Sequence, residues 1–282
     1  MKTANKIAMA RLAYKAINVA RAMAGYSDRC IVRRDGVLYD LDLSQGIDFA
    51  TYLGIFERET RTVLKELVKP ASVVLDIGAN IGVHTLLLAS LVGPAGRVFA
   101  FEPTDYAVKK LRQSLSLNSD LSERVTLFHC FLAATNGRDV PDSIYSSWPL
   151  NEIEGLHEKH LGLAMPTNAA PARSIDAVLA ELGGPSVQLV KLDVDGFECE
   201  VLRGATALLR DNRPIFVMEL SPYVLDERGS SLEELLLFFV PNGYRFFHER
   251  TRHQLPSDTA GLRRLVGDGE SINVIARPNE TC

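Results

Sequence analysis

Short apolar runs alternate with longer amphipathic stretches from Ala71 onward. The runs have the length of buried strands, and the stretches between them repeat apolar residues at the three- and four-residue spacing of helices. This alternation predicts an α/β fold in which a mostly parallel sheet carries helices on both faces. The predicted strands are 73–77, 97–101, 125–130, 188–192 and 214–220, and the predicted helices are 81–91, 105–117, 175–182, 200–210 and 232–239.

Two later apolar runs, 244–249 and 271–278, complete a predicted seven-stranded sheet. No obvious crossover helix separates these two runs, and parallel neighbours need such a crossover. We therefore predict that the two late strands pair antiparallel and supply an antiparallel strand at the edge of the sheet.

Residues 1–56 precede the main domain, which we expect to cover residues 57–282. Residues 1–27 contain five basic residues and no acid. Their larger apolar positions fall roughly along one helical face: Ile7, Ala10, Tyr14, Ile17 and Met23. The pattern predicts a basic amphipathic helix, which can be a peripheral membrane contact through residues 1–25, a lip over a lipid-like or anionic substrate, or a helix packed on the domain. We favour packing because the apolar face is mostly alanine.

Two other segments depart from the alternation. Residues 30–48 place strand-like runs on either side of Asp35-Gly36, which predicts a hairpin turn. Residues 137–173 contain four prolines among polar and aromatic residues. A connection of that length is usually functional or mobile, so we interpret this insert as a lid over the substrate.

Composition narrows the class of protein. The 282 residues are 46% apolar and 23% charged, with a net charge of −4. That balance is typical of a soluble globular protein and argues against nucleic-acid binding by phosphate neutralisation. The four cysteines form no CxxC pair, which indicates neither a disulfide framework nor a zinc site. With no apolar run of roughly 18–20 residues and an N-terminus interrupted by basic residues, we expect a cytoplasmic protein.

Carboxylates follow most of the predicted parallel strands. They are Asp76 at the first strand, Glu102 at the second, Asp193, Asp195 and Glu198 after the fourth, and Glu219 at the fifth. Open sheets of this kind bind ligands beyond the carboxyl ends of their strands. Because buried acids cost free energy unless a partner compensates them, their repetition at strand ends indicates a site.

The glycine turn after the first strand, Gly78, Asn80 and Gly82, has the spacing GxxxG in place of the GxGxxG of dinucleotide-binding folds. Asp76 lies two residues before it and would repel a pyrophosphate, whereas it suits a cationic cofactor such as S-adenosylmethionine. Glu102 can accept hydrogen bonds from both ribose hydroxyls in either case. The spacing and Asp76 therefore favour the methyl donor over a nicotinamide-dependent oxidoreductase, and a non-catalytic nucleoside-binding protein stays open as a third class.

Four segments carry a resemblance to a known family. "VVLDIGANIG", "VFAFEP", "LVKLDVDGFECEVLRGA" and "FVMEL", in this order, resemble the FkbM-type S-adenosylmethionine-dependent methyltransferases. The resemblance implies a Rossmann-like class I methyltransferase fold and O-methylation of a glycan, lipid-linked sugar or secondary metabolite. Carried over, Asp76, Gly78, Asn80 and Gly82 would line the methionine and adenosine side of the cofactor pocket, with Glu102 on the ribose. Adenine would lie against residues 132–134, where an acid common in related enzymes is missing.

Methylation of an aliphatic hydroxyl requires a base that removes its proton, or a metal that makes its oxygen nucleophilic. We rank Asp193 first, as a contact to the cofactor amine or as the base, and Glu219 second. His157 in the insert is a further candidate for the base, although it could equally be a solvated surface residue. Converging carboxylates can also hold a divalent metal, but we assign no metal ligand. As a purely structural alternative, Asp195-Gly196 turns the chain and Glu198 caps the next helix.

Overall fold

The computed structural model describes residues 3–151, 153–157, 161–168, 170–267 and 269–279, with the backbone only for residues 3–6. Its helices are α1 (Thr3–Met23), α2 (Gly46–Tyr52), α3 (Arg58–Leu67), α4 (Val83–Val92), α5 (Asp105–Ser116), α6 (Ser119–Ser122), α7 (Ile175–Glu181), α8 (Glu198–Arg203), α9 (Pro222–Glu227), α10 (Leu232–Phe239) and α11 (Thr259–Leu265), with a π-helical turn at Leu208–Asn212. Its strands are β1 (Arg29–Arg34), β2 (Val37–Asp42), β3 (Val73–Ile77), β4 (Arg97–Glu102), β5 (Val125–His129), β6 (Phe131–Leu132), β7 (Ser143–Ser147), β8 (Leu163–Pro166), β9 (Ala172–Arg173), β10 (Leu189–Leu192), β11 (Ile215–Leu220), β12 (Tyr244–His248) and β13 (Ile272–Pro278).

The central sheet has seven strands in the order β12-β13-β11-β10-β3-β4-β5. The pairs from β11 through β5 are parallel, and β13 runs antiparallel to both β11 and β12. This arrangement confirms the predicted fold class and the antiparallel pairing of the two late strands. The antiparallel strand itself, β13, lies one place inside the edge, and β12 forms the edge. Strand order reverses between β3 and β10, which is where open sheets bind ligands.

Helices cover both faces of this sheet because alternate strand residues point to opposite sides. Leu75 and Ile77 of β3 pack into the larger core with α7, α8 and α10. Val74 packs on the other face against α3 and α4. Asp76 shares the α4 face with Val74, and Lys191 of β10 lies beside it in the parallel register. Two charged side chains thus enter an otherwise apolar layer at neighbouring positions.

The N-terminal elements pack against the β3–β5 half of the domain. Asp35 and Gly36, both with positive φ, form the turn between the antiparallel strands β1 and β2. Ile7 and Tyr14 of α1 are buried, and Tyr14 belongs to a core that includes Ile81 and Leu111 of the main domain. Met23 does not share this packed face as predicted, because its side chain is 85% exposed.

The insert forms a hairpin of β7 and β8 that is tied to the segment before α2. Gly46 N donates to Trp148 O at 2.7 Å, and Leu150 N donates to Ser44 O at 2.8 Å. Ser147 Oγ adds a side-chain hydrogen bond of 2.6 Å to Gln45 Oε1. The insert is therefore tied to the N-terminal elements, and its Ser146 contacts Asn80 after β3 and Thr104 after β4. Within the part of the chain that the structure describes, no helix is long and apolar enough to cross a membrane.

Candidate active site

The glycine turn brings three strand ends into contact. Gly78 has φ +76°, and a Cβ there would collide with the backbone oxygen of Asp193 in the loop after β10. Gly78 N and Ala79 N both donate to Phe101 O, near the end of β4, at 3.1 and 3.0 Å. Asp193 N donates to Ile77 O at 3.1 Å. A side chain at residue 78 would force these loops apart, so glycine is required here.

Asp76 is fully buried beneath this turn. Its Oδ2 accepts a 2.6 Å hydrogen bond from Thr85 Oγ1, while Oδ1 has no hydrogen-bond partner among the described residues. A buried carboxylate oxygen left without a donor is costly, and such an atom fits a site that receives a donor from a ligand. The chemistry of the position therefore suits a cationic or amino-bearing group.

Lys191, which the sequence reasoning missed, joins the two halves of the site. Its Nζ is buried and donates to Gly78 O at 3.2 Å and to Asp193 Oδ2 at 3.0 Å. Burial lowers the pKa of Lys191, but the charges of Asp193, Asp76 and Glu57 outweigh it and raise that pKa above the usual lysine value. The available signal was a lysine inside the apolar run "LVKL", since parallel strands buried on both faces rarely carry one.

Glu102 lies at the end of β4 and is 3% exposed. Its Oε1 accepts hydrogen bonds from Thr104 N and Thr104 Oγ1, at 2.9 and 2.6 Å, and its Oε2 accepts one from Asn80 N at 2.9 Å. Burial raises the pKa of Glu102, and these donors oppose that rise. Since a carboxylate oxygen has two acceptor positions, one position remains on Oε2.

Asn80 and Gly82 complete the glycine turn. Asn80 adopts a left-handed backbone conformation, with φ 48°, and its Oδ1 accepts from Ile81 N. Gly82 is the N-cap residue that precedes α4. It has φ +89°, and a Cβ there would collide with the Leu111 side chain. Ser146 of the insert reaches this region, since its O accepts from Asn80 Nδ2 at 3.4 Å and its Oγ donates to Thr104 Oγ1 at 3.0 Å. The insert thus bridges the loops after β3 and β4.

The turn after β6, where the resemblance puts adenine, contains no acid of its own. Ala133 is fully buried, and a Cβ on Gly204 would collide with its backbone oxygen. Ala134 N donates to Glu200 Oε1 at 3.1 Å, and Arg138 and Arg203 pair with the same carboxylate. Glu200 of α8 therefore contacts this turn, and its carboxylate already accepts hydrogen bonds from groups of the protein.

Four carboxylates crowd the ends of β10 and β11. Burial and then the charge of Asp193 raise the pKa of Glu219 to about 8, although Ser271 Oγ donates to its Oε1 at 2.5 Å. Burial and then the charges of Asp193, Glu219 and Glu198 raise the pKa of Asp195 well above its ordinary value. Burial raises the pKa of Glu198 to about 7. The structure therefore brings the predicted residues Asp193 and Glu219 close enough for the charge of Asp193 to raise the pKa of Glu219.

Asp195 and Glu198 also organise the loop itself. Asp195 and Gly196 both have positive φ, at 48° and 95°, and turn the chain after β10. Glu198 Oε1 accepts from Val194 N at 3.3 Å and Gly196 N at 3.4 Å. The positive φ values support the turn role that we considered for Asp195-Gly196. The capping role considered for Glu198 is not found, because Glu198 is the first residue of α8, its carboxylate bonds the loop before the helix, and the N-cap Phe197 makes no side-chain cap hydrogen bond.

Glu57 and His84 add a pair that the sequence pattern did not indicate. Glu57 precedes α3 in a left-handed conformation with φ 38°, and its Oε2 lies 2.7 Å from Nε2 of the buried His84 on the first turn of α4. The charge of Glu57 contributes to the raised pKa of both Glu219 and Lys191. Glu57 therefore borders the same acidic cluster from the N-terminal side of the domain.

His157 lies in the insert, partly exposed. Its ring contacts Tyr145 edge to face, with centroids 5.0 Å apart, and its Nε2 is 3.8 Å from Glu227 Oε2 of α9. The Arg228 guanidinium lies over the rings of Tyr145 and Phe197, at 5.9 and 4.6 Å. Because Phe197 belongs to the loop after β10, this aromatic cluster joins the insert to that loop. His160 falls outside the described residues.

No group of three or more His, Cys, Asp or Glu side chains is arranged to hold a metal ion within the ranges that the structure describes. The arrangement is instead a glycine turn and two buried acids on one side of the strand-order reversal, and a cluster of acids on the other. Sheet order and site together define a Rossmann-like class I methyltransferase architecture.

A family model for the methyltransferase FkbM domain matches residues 76–246, well over half of the sequence. The chain belongs to the FkbM methyltransferase family. It is 28% identical over 166 residues to 2-O-methyltransferase NoeI of Sinorhizobium fredii, covering 55% of this chain and 66% of NoeI. It is 28% identical over 155 residues to hexuronic acid methyltransferase AglP of Haloferax volcanii, covering 55% of this chain and 58% of AglP. The matches thus span less than two thirds of these relatives.

Among solved structures, FkbM methyltransferase from Methylobacillus flagellatus aligns with a TM-score of 0.44 and 17% identity. The alignment covers 77% of this chain and 50% of that chain.

Proposed function

We propose that this protein is an S-adenosylmethionine-dependent methyltransferase that methylates a hydroxyl oxygen of a sugar. One observation carries the cofactor assignment: Asp76 Oδ1 is buried without a partner in the described part of the chain, directly beneath the turn that contacts Asp193. Membership of the FkbM family supports the same cofactor. A pyrophosphate would be repelled at this position, which disfavours a nicotinamide cofactor.

Each side of the site has a distinct binding task in this proposal. Asp76 and Asp193 offer carboxylates to the cationic methionine end of the cofactor, and Lys191 holds the Asp193 carboxylate in place. The remaining acceptor position on Glu102 Oε2 takes a ribose hydroxyl. A second ribose hydroxyl can bind Oε1 only if the Thr104 hydroxyl turns away. Ser146 contacts both loops and would exclude water from the bound nucleoside.

When bound, the cofactor would supply a methyl group attached to a sulfonium sulfur. The sulfur-bearing remainder of the cofactor would be the leaving group, as a neutral thioether. The remaining chemistry is alignment of the acceptor oxygen with the methyl carbon and removal of its proton. Glu219 would take the hydroxyl proton while the methyl group passes from the sulfonium sulfur of a bound cofactor to that oxygen. Its raised pKa makes Glu219 a better proton acceptor than an ordinary carboxylate. The Asp193 carboxylate, in contrast, is engaged in an ion pair with Lys191. We therefore assign Asp193 to cofactor binding and Glu219 to the base.

The sugar acceptor is inferred from two sources. The relatives named as a 2-O-methyltransferase and a hexuronic acid methyltransferase support a carbohydrate hydroxyl. The cluster of Tyr145, His157 and Phe197 offers aromatic surface beside the acidic end of β10, and such surface suits the apolar face of a pyranose ring. His157 is assigned to this acceptor contact because its ring packs edge to face against Tyr145.

The test begins with calorimetry of S-adenosylhomocysteine and NADH against the full chain. We expect binding of the first and none of the second; tight NADH binding would overturn the cofactor assignment. Methyl-labelled cofactor is then incubated with neutral glycosides, hexuronic acid glycosides and non-sugar alcohols, with Glu219→Gln as the control. The proposal is supported if the wild type transfers label to a sugar fraction and the Glu219→Gln variant does not. Cofactor binding without transfer to any acceptor favours a non-catalytic binding protein.

A further inference from the structure

Helix α1 has a second apolar face that nothing in the described part of the chain covers. Met9, Leu12, Val19 and Met23 are 63%, 72%, 62% and 85% exposed. At about 100° per residue they lie within about 80° of one another around the helix axis, so they form one stripe. Alanines at 8, 16 and 20 lie along the same side and are exposed. We call this stripe the outer face of α1.

The opposite face fixes α1 to the protein. Ile7 and Tyr14 are buried, and Tyr14 OH donates to Asp28 Oδ2 at 2.8 Å. Arg21 Nη2 donates to Ser27 O at 2.8 Å at the C-terminal end of the helix. Because these contacts already use one side of α1, its outer face is presented to the surroundings. Four large apolar side chains in one exposed stripe are more than scattered surface hydrophobics and indicate an interaction surface.

The N-terminal segment that includes α1 has a charge opposite in sign to that of the whole protein. Residues 1–34 contain eight Lys or Arg and one acid, whereas the chain as a whole carries −4. In β1 the exposed positions are Arg29, Ile31 and Arg33, so basic and apolar residues alternate there as well. An apolar stripe within a basic segment is the combination by which interfacial helices bind anionic bilayers.

We propose that the outer face of α1 docks on an anionic membrane surface, with the helix lying in the plane of the interface. The apolar side chains enter the boundary of the acyl chains, and the basic residues of the N-terminal segment meet the lipid headgroups. A second copy of this chain fits less well, because a two-fold contact would place each basic patch against itself. Nucleic acid would engage the charge but leave the apolar stripe without a role. This proposal does not depend on the proposed function.

The experiment measures partition of the full chain onto phosphatidylcholine vesicles with and without phosphatidylglycerol, at roughly 0.1 M and 0.5 M salt, which differ in the screening of surface charge. The double variant Leu12→Gln, Val19→Gln removes the apolar contact. The matched control is Leu237→Gln, Leu265→Gln, since these leucines are 64% and 53% exposed on α10 and α11. Arg29→Gln with Arg33→Gln removes charge. Thermal unfolding checks that each variant is folded.

We expect the wild type to bind anionic vesicles at low salt and to bind them less at high salt. The Leu12, Val19 variant should lose roughly tenfold per side chain in partition, the expected loss for apolar groups withdrawn from water. The charge variant should lose about fivefold per arginine that lies near the surface, and the control pair should bind like the wild type. Absence of vesicle binding, or an equal loss in the control pair, would overturn the proposal. So would a dimer, detected by light scattering, that only the Leu12, Val19 variant dissociates and that binds no vesicles.

Discussion

At the ends of β3 and β4, the carboxylates meet hydrogen-bond donors. Thr85 donates to Asp76, and Thr104 and Asn80 donate to Glu102. At the ends of β10 and β11, four carboxylates lie near one another, and burial together with repulsion between them raises the pKa values of Asp195, Glu198 and Glu219. In our proposal the first half serves recognition, and the second half includes the group that exchanges a proton. Lys191 and Gly78 join the two halves.

The largest expected effect is on the proton-exchanging half. Glu219→Gln keeps the shape of the side chain but removes the proton acceptor, so kcat should fall by about 10²–10⁴. Binding of S-adenosylhomocysteine should change little, because the residues that we assign to cofactor binding, Asp76, Glu102 and Asp193, are unchanged in this variant. In the wild type, kcat should rise with pH as Glu219 ionises around its pKa of about 8, and that rise should disappear in the variant. Full activity in Glu219→Gln would mean that another group is the base.

The junction between the halves is tested by Gly78→Ala. Both this variant and its control, Gly184→Ala, place a side chain at positive φ, but only residue 78 meets the backbone of a neighbouring loop. The control should lose about 1–2 kcal/mol of unfolding free energy from backbone strain. Gly78→Ala should lose about 1–3 kcal/mol more, the typical cost of forcing an added group into a packed site, and should bind cofactor poorly. Equal losses in denaturant unfolding would show that the loops can separate freely.

The recognition half is tested by Glu102→Ala. Loss of the carboxylate removes a ribose acceptor and leaves two backbone N–H groups, of Asn80 and Thr104, without their partner. We expect cofactor affinity to fall by roughly 100-fold, equivalent to the loss of a charge-assisted hydrogen bond. Calorimetry measures this change, with Glu181→Ala on the exposed end of α7 as the control. Near-normal affinity would place the ribose elsewhere.

The smallest expected effect is the pH dependence of stability in the crowded half. Glu198 and Glu219 keep their protons to about pH 7 and about pH 8 when folded, whereas both ionise near the ordinary value of 4.5 when unfolded. The folded state therefore binds more protons in this window, and the free energy of unfolding falls as the pH rises through it. Each decrease of about 1 kcal/mol would lower Tm by roughly 1–4 °C at this chain length. Glu198→Gln should flatten the profile, and Glu181→Gln should leave it unchanged.

Much of the fold was predictable because its strands are apolar runs with clear limits. Both limits of the strand 73–77 were predicted correctly. The predicted strand limits in turn identified the acids at strand ends as candidate site residues. Glu57 could not be predicted as part of the site, since it belongs to the polar segment "FERETR" and only tertiary packing brings it to His84. In the insert, prolines indicated a break in the alternation, but the pairing of β7 with β8 depends on contacts that local pattern does not encode.

The hydrogen bonds between residues 44–46 and residues 148–150 have a thermodynamic consequence. They connect the insert to the segment that follows β2, and Arg11 of α1 adds a contact to Pro149 O at 3.5 Å. A ligand that binds one arrangement of the insert more tightly than another must also favour the matching arrangement of these N-terminal contacts. By reciprocity, anything that holds the N-terminal segment changes the affinity for that ligand by the same factor. Attachment of the N-terminal segment to a partner and occupancy of the ligand site beside the insert are then thermodynamically linked.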